Sequence, residues 1–96
     1  IAIKKGIPTI INYYDKEISN KILKKYGKAK VITATNVFAH IDNINSILKL
    51  IKKNLKNDGV FISESHYLLT LIKTLQYDTI YHEHMRYYSL MSLKYL

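Results

Sequence analysis

The sequence has no cysteine and no tryptophan, one proline, three glycines and a lone arginine, Arg86. Without cysteine these residues form no disulfide and no thiolate zinc centre, and a reducing intracellular setting is permitted. No apolar run approaches the roughly 20 residues that a membrane-spanning helix needs, and no signal-peptide pattern precedes the first expected strand. A soluble, cytoplasmic protein with no membrane partner is therefore expected. Acidic residues are also scarce, with seven Asp and Glu against fifteen Lys and Arg and a formal charge of +8. Such an excess attracts polyanions at long range, so a nucleic-acid partner has to be weighed.

The lysines answer that question poorly. Lys21, Lys24, Lys25 and Lys28 gather around one expected helix end, and Lys49, Lys52, Lys53 and Lys56 around another. Cations there complement the helix dipole and solvate an outer face. The near absence of arginine is unlike a nucleic-acid reader, and the wealth of Ile, Lys, Asn and Tyr fits a coding bias toward A and T. No nucleic-acid partner is expected. A small basic module that holds RNA or another polyanion stands as the competing reading, and an inactive structural remnant as a third.

With 96 residues, 48% of them hydrophobic, the chain is one domain at most. It opens at Ile1 without an initiator Met, so an internal fragment is expected. Thr9 to Tyr13 reads as a strand, because Pro8 sets an extended entry and Ile10 and Ile11 are β-branched. Ile18, Ile22, Leu23 and Tyr26 then recur at helical spacing between Asp15, a capping residue, and Gly27, a terminator. Val31 to Thr35 is a nearly continuous β-branched and apolar run, the pattern of a strand covered on both faces. From Asp42, read as the cap, Ile44, Ile47, Leu48, Ile51 and Leu55 form a helical stripe that stops at Asn57-Asp58-Gly59. Val60 to Ile62 is a third strand, followed by a helix from about Tyr67 to Gln76 with Leu68, Leu71, Ile72 and Leu75 inward, and a helical tail from Ser89. Strands alternating with helices are the signature of βαβ units, so the fold class is an open α/β sheet. In such sheets ligands bind beyond the carboxyl ends of the strands, here Tyr14, Asn36 to His40 and Glu64 to Tyr67.

One stretch carries unusual chemistry. Tyr81-His82-Glu83-His84 and the following Tyr87-Tyr88 place imidazoles, a carboxylate and phenols within a few residues, a density that suggests proton handling. Taken alone, a His-x-His pair is more often a solvated loop. No metal is assigned to it, because convincing further ligands are missing nearby.

In order, Gly6-Ile7-Pro8-Thr9-Ile10, Thr35-Asn36-Val37-Phe38-Ala39-His40-Ile41, Asp58-Gly59-Val60-Phe61-Ile62 and Tyr77-Asp78-Thr79-Ile80-Tyr81-His82-Glu83-His84 resemble the class I S-adenosylmethionine-dependent C-methyltransferases of nucleotide-linked 4-keto-deoxysugars. The resemblance implies a partial Rossmann-like class I methyltransferase sheet with flanking helices, with residues 1–96 the central part of a single methyltransferase domain. It implies transfer of a methyl group from S-adenosylmethionine to the carbon beside a sugar ketone, through an enolate, with the nucleotide-linked keto sugar as partner in deoxysugar biosynthesis. By the same resemblance His84 is the base, Glu83 orients or tunes it, Tyr81 lies near the ketone oxygen, and His40 is a second active-site histidine. Asn36 and Val37 are cofactor contacts, while Glu64 and Tyr67 face the sugar. His82 is left out, because alternation along an extended segment points it away from the neighbours of His84. Residue chemistry agrees with the base, since imidazole titrates near neutrality and suits abstraction of a proton alpha to a carbonyl.

The departures matter as well. There is no Gly-x-Gly pattern, so the family's glycine-rich cofactor loop has no counterpart. The same holds for its ribose-binding acidic residue, its zinc-binding N-terminal domain, its C-terminal domain, and the first two strands. In the family sheet those strands lie between Thr9–Tyr13 and Val31–Thr35. Poor cofactor binding and no activity are expected of these residues alone.

Overall fold

The computed structural model describes residues 1–96. After an N-terminal 3-10 turn, the chain runs through helix α1 (Lys16–Tyr26), strand β1 (Ala29–Thr35), a 3-10 turn (Phe38–His40), helix α2 (Ile44–Asn54), strand β2 (Leu55–Glu64), the short helix α3 (Leu68–Lys73), a 3-10 turn (Tyr77–Thr79) and one helical turn, α4 (Leu90–Leu93). No helix is long and apolar enough to cross a membrane.

Local chemistry explains the ends of α1. The Asp15 carboxylate accepts from the Ile18 N–H at 2.8 Å, satisfying one donor that the first turn leaves orphaned. Gly27 closes the helix at φ 74, where a side chain would be strained. The second helix starts one residue later than its sequence suggests. Asn43, not Asp42, caps α2 by accepting from the Ser46 N–H at 3.1 Å, while Asp42 is engaged through its backbone carbonyl.

β1 and β2 are parallel, with Val31 opposite Val60 and Thr35 opposite Glu64. This is the right α/β architecture: two parallel strands joined by a helical crossover, consistent with a partial Rossmann-like methyltransferase sheet. The register is irregular between the Ala29/Leu55 and Val31/Val60 pairs, so α2 ends at Asn54 instead of running to Gly59, and the chain bulges before the regular pairing begins. Gly59 sits in that bulge, where an added Cβ would stand 3.0 Å from the Lys56 carbonyl oxygen and 3.1 Å from that of Ala29.

Other expectations give way to tertiary context. Thr9 to Tyr13 forms no strand, and Ile11 and Tyr13 lie 84% and 91% exposed. β propensity is expressed only where a partner strand satisfies the backbone, and no neighbouring strand is present for this segment. β1 is covered on one face, not two. Ile32, Ala34 and Phe61 pack toward a small core of Phe38, Ile44, Ile51 and Tyr88, while Val31, Val60 and Ile62 are more than half exposed on the other side. α3 is shorter than its apolar pattern: Leu71 is buried, whereas Ile72 and Leu75 are exposed, and Leu75 leaves the helix at φ 53. The tail makes only the Leu90–Leu93 turn, with Ser89 and Ser92 capping each other reciprocally.

The core has a functional consequence. Phe38 meets Phe61 edge to face at 5.4 Å between centroids, and Tyr88 joins them from the distant end of the chain. Tyr88 also reaches β2's exit, since Tyr67 and Tyr88 form a parallel bridge and the Leu68 N–H donates to the Tyr88 carbonyl at 2.8 Å. The segment rich in titratable side chains is thereby drawn over the strand ends.

Candidate active site

At the end of β1 the chain turns sharply. Asn36 adopts φ 52, a left-handed conformation that asparagine tolerates better than most residues, and its N–H donates to the Glu64 carbonyl at 2.9 Å. The turn delivers Phe38 into the core and sets His40 at the sheet's carboxyl edge. Opposite it, the segment after Thr79 folds back without regular structure. Tyr81 to His84 is a tight turn closed by the His84 N–H on the Tyr81 carbonyl at 3.0 Å. It is not the extended run assumed from sequence, so alternation does not explain the position of His82, which is simply exposed.

The two segments bring His40 and His84 to 4.9 Å between ring centroids. The Nδ1–H of His40 donates to the Glu83 carbonyl at 2.9 Å. The Nδ1–H of His84 donates to the Thr79 carbonyl at 2.9 Å. A carbonyl oxygen only accepts, so this contact puts the proton of a neutral His84 on Nδ1 and leaves Nε2 with its lone pair. The Tyr81 hydroxyl lies 2.9 Å from that Nε2 and donates to it in this tautomer, with the two rings only 4.1 Å apart. Tyr87 adds a second donor to the Thr79 carbonyl at 2.8 Å, and the His66 ring stands 5.8 Å from that of His84.

These groups line a cavity of about 270 Å³ that also includes Asn36 and Arg86. A second, apolar cavity of about 680 Å³ runs along β1 between Tyr14, Val37 and Ile51, and His40 lines both. An imidazole therefore stands between a polar chamber and an apolar one. Beneath them, burial pushes the Tyr88 phenol above its ordinary range, an effect partly offset by the nearby Arg86 guanidinium.

Of the residues singled out from sequence, His40, Tyr81 and His84 converge. Glu83 takes part through its backbone carbonyl; its side chain is exposed, and the group that orients His84 is the Thr79 carbonyl instead. Asn36 faces the polar cavity and Val37 the apolar one. Glu64 and Tyr67 lie exposed at the end of β2, outside the residues that line the histidine cavity. Sequence reasoning gave His66, Tyr87 and Arg86 no individual role, although His66 fell within the strand-exit residues and Tyr87 within the stretch rich in titratable groups. The first had a signal, because it follows directly on the polar exit of a strand. Thr79 had none, since its contribution is a backbone oxygen.

The fit to S-adenosylmethionine is partial. The apolar cavity offers a wall for a flat base, and Asp42 is the only carboxylate along it. The backbone amide of Asn36 is already spent on Glu64, and the sequence holds no glycine-rich turn. Among these residues there is no set of donors and acceptors sufficient for the cofactor's ribose and amino-acid groups, so they do not by themselves fit it as a complete site.

The C-methyltransferase NovU of Streptomyces niveus is 38% identical over 93 residues, which cover 97% of this chain and 22% of that relative. The chain thus spans less than a quarter of the length of the curated relative it matches. A family model described as a methyltransferase domain matches residues 4–96, and the chain accordingly belongs to the methyltransferase domain family.

Proposed function

We propose that these residues are the proton-handling part of an S-adenosylmethionine-dependent C-methyltransferase, a central stretch of one methyltransferase domain, which methylates the carbon next to the ketone of a nucleotide-linked 4-keto-deoxysugar. The observation that carries the reading is the imidazole of His84, held with Nδ1 on the Thr79 carbonyl and Nε2 facing the Tyr81 hydroxyl. A base of this kind, close to a phenol that can move its hydrogen bond to a ketone oxygen, suits removal of a proton alpha to a carbonyl. The relative's description as a C-methyltransferase supports a carbon acceptor, and where that carbon lies beside a ketone, its proton must leave before it can act as a nucleophile.

In this reading His84 takes the alpha proton at Nε2. Tyr81 gives up its bond to Nε2 when a ketone oxygen arrives, and stabilises the enolate oxygen. His40, tethered to the Glu83 carbonyl, walls the chamber and presents its free Nε2 toward the substrate. Asn36 and Val37 border the cofactor side, and Glu64 and Tyr67 the approach for the sugar. The cofactor supplies an electrophilic methyl group when bound.

A second reading has its own observation. Lys28, Lys49, Lys52 and Lys56 rim a groove of about 880 Å³ at the opposite end of the sheet, which suits a polyanion. One comparison separates the two. The enzyme that contains this chain is incubated in D₂O with a nucleotide-linked 4-keto sugar, and exchange of the alpha proton and transfer of label from S-adenosylmethionine are followed. Exchange that vanishes in His84→Ala, with cofactor affinity retained, supports the methyltransferase; exchange unaffected by that substitution removes His84 as base. Steep salt-dependent RNA binding without either reaction would favour the polyanion module.

A further inference from the structure

We propose that Arg86 is the positioning residue of this site, fastening the His84 segment to the His40 turn by spending its guanidinium on two backbone carbonyls. The proposal rests on the proton-transfer reading above for its kinetic consequence, and on geometry alone for its structural one.

Between the 3-10 turn at Thr79 and the cap at Ser89 the chain has no helix or strand to fix its path. Local structure therefore does not hold His84 next to His40. Beside the Tyr67–Tyr88 bridge at the segment's far end, what does is a set of contacts between residues 83–88 and residues 38–42. The His40 imidazole donates to the Glu83 carbonyl and the Met85 N–H to the Ala39 carbonyl, at 2.9 and 3.0 Å. The Tyr88 hydroxyl reaches the Phe38 carbonyl at 3.3 Å. Arg86 completes the set: one terminal nitrogen donates to the Ile41 carbonyl and the other to that of Asp42 at 2.7 Å.

Those two carbonyls belong to consecutive residues just before the Asn43 cap of α2, where no helical bond is available to them. A planar fork of donors matches two adjacent acceptors in a way that the point charge of lysine does not. Arg86 forms neither of the molecule's ion pairs, which are Lys21 with Glu17 and Lys30 with Asp58. It lines the cavity, yet its outer nitrogens already face protein oxygens. This distinguishes a clamp from an anion-binding arginine, whose fork would be open to a phosphate.

The test uses the full-length enzyme containing this chain, as wild type, Arg86→Ala, Arg86→Lys, and Ile18→Ala as a destabilised control in the remote α1 core. Nitrogen NMR of the imidazoles reports the His84 Nδ1–H tautomer, and proton cross-relaxation reports the proximity of the His40 and His84 rings. The expected result is loss of the ring-to-ring signal and a mixed His84 tautomer in both Arg86 variants, partial recovery of Arg86→Ala in non-denaturing guanidinium, and no change in Ile18→Ala. Alpha-proton exchange should fall about 10²-fold through kcat, as for a misplacement of roughly 1 Å, with KM for the nucleotide-linked sugar nearly constant. Intact imidazole signals combined with a raised KM would overturn the proposal in favour of direct substrate binding. Equal spectral changes in Ile18→Ala would overturn it as a general loss of structure. Should the wild type show no exchange, the proton-transfer reading fails while the NMR arm still decides the clamp. If Arg86→Ala does not fold, Arg86→Lys carries the same comparison.

Discussion

The contact between Tyr81 and His84 makes a quantitative prediction, because two residues sharing one hydrogen bond should not act independently. Their heavy atoms lie 2.9 Å apart and the tautomer of His84 is set from the other side of the ring by Thr79. On the proposed mechanism, Tyr81→Phe removes a donor to the developing enolate, a loss of about 10²–10³ in kcat, or about 2.7–4 kcal/mol. On the same mechanism, His84→Gln removes the proposed base, which is worth about 10²–10⁴. Independent roles would multiply, so the double variant would lose about 10⁴–10⁷. If Tyr81 stabilises the enolate that His84 creates, it has nothing to stabilise once the base is gone. The double variant should then lie within about tenfold of His84→Gln alone, and the coupling energy should approach the full value of the donor. The assay is alpha-proton exchange in D₂O by the four proteins of the cycle, each checked for an unchanged circular dichroism spectrum. Losses that multiply would refute the reasoning, showing that the two groups serve separate steps.

Two further predictions concern the frame behind the site. The Ser19 hydroxyl, fully buried, donates to the Asn54 side-chain oxygen at 2.9 Å, and the Asn54 amide donates to the Tyr14 hydroxyl at 2.9 Å. Asn54→Ala strands the serine without an acceptor and should cost about 2–4 kcal/mol in urea unfolding, with partial recovery in Ser19→Ala/Asn54→Leu, where both polar partners are gone; a loss below about 0.5 kcal/mol would contradict the network. Burial raises the phenols of both Tyr14 and Tyr88 above the ordinary value of 10.0, partly offset by the Ser19 hydrogen bond and by Arg86 respectively. A raised acid favours its neutral form in the folded state, so this stability is fully present below pH 10.0 and is lost as pH rises through the folded values. Unfolding midpoints compared at about pH 9 and about pH 11 should fall less for Tyr88→Phe than for the wild type; an equal fall would remove Tyr88 from the alkaline response.

Much of this protein is written in local pattern. Asp15 and Gly27 announce both ends of α1, the β-branched run before Thr35 announces β1, and the alternation of strand and helix implies a parallel sheet, because each of these depends on neighbours a few residues away. The density of imidazole and phenol around Tyr81 to His84 is visible in the sequence too, but by itself it is the pattern of a solvated loop, and the proposed roles came from the family resemblance. Tertiary structure decided the rest. Thr9 to Tyr13 has the composition of a strand and no partner to make it one. Val31, Val60 and Ile62 have the apolar character of a core and lie on a face that nothing covers. Thr79 and Glu83 act through carbonyl oxygens that every residue possesses, so no side-chain pattern distinguishes them, and Arg86 reads as a surface charge until two carbonyls from a distant turn meet its fork. Residue identity determined which groups can hold or move a proton. Only folding decided which of them meet, because hydrogen bonds between segments some 40 residues apart depend on the path of the backbone and not on local sequence.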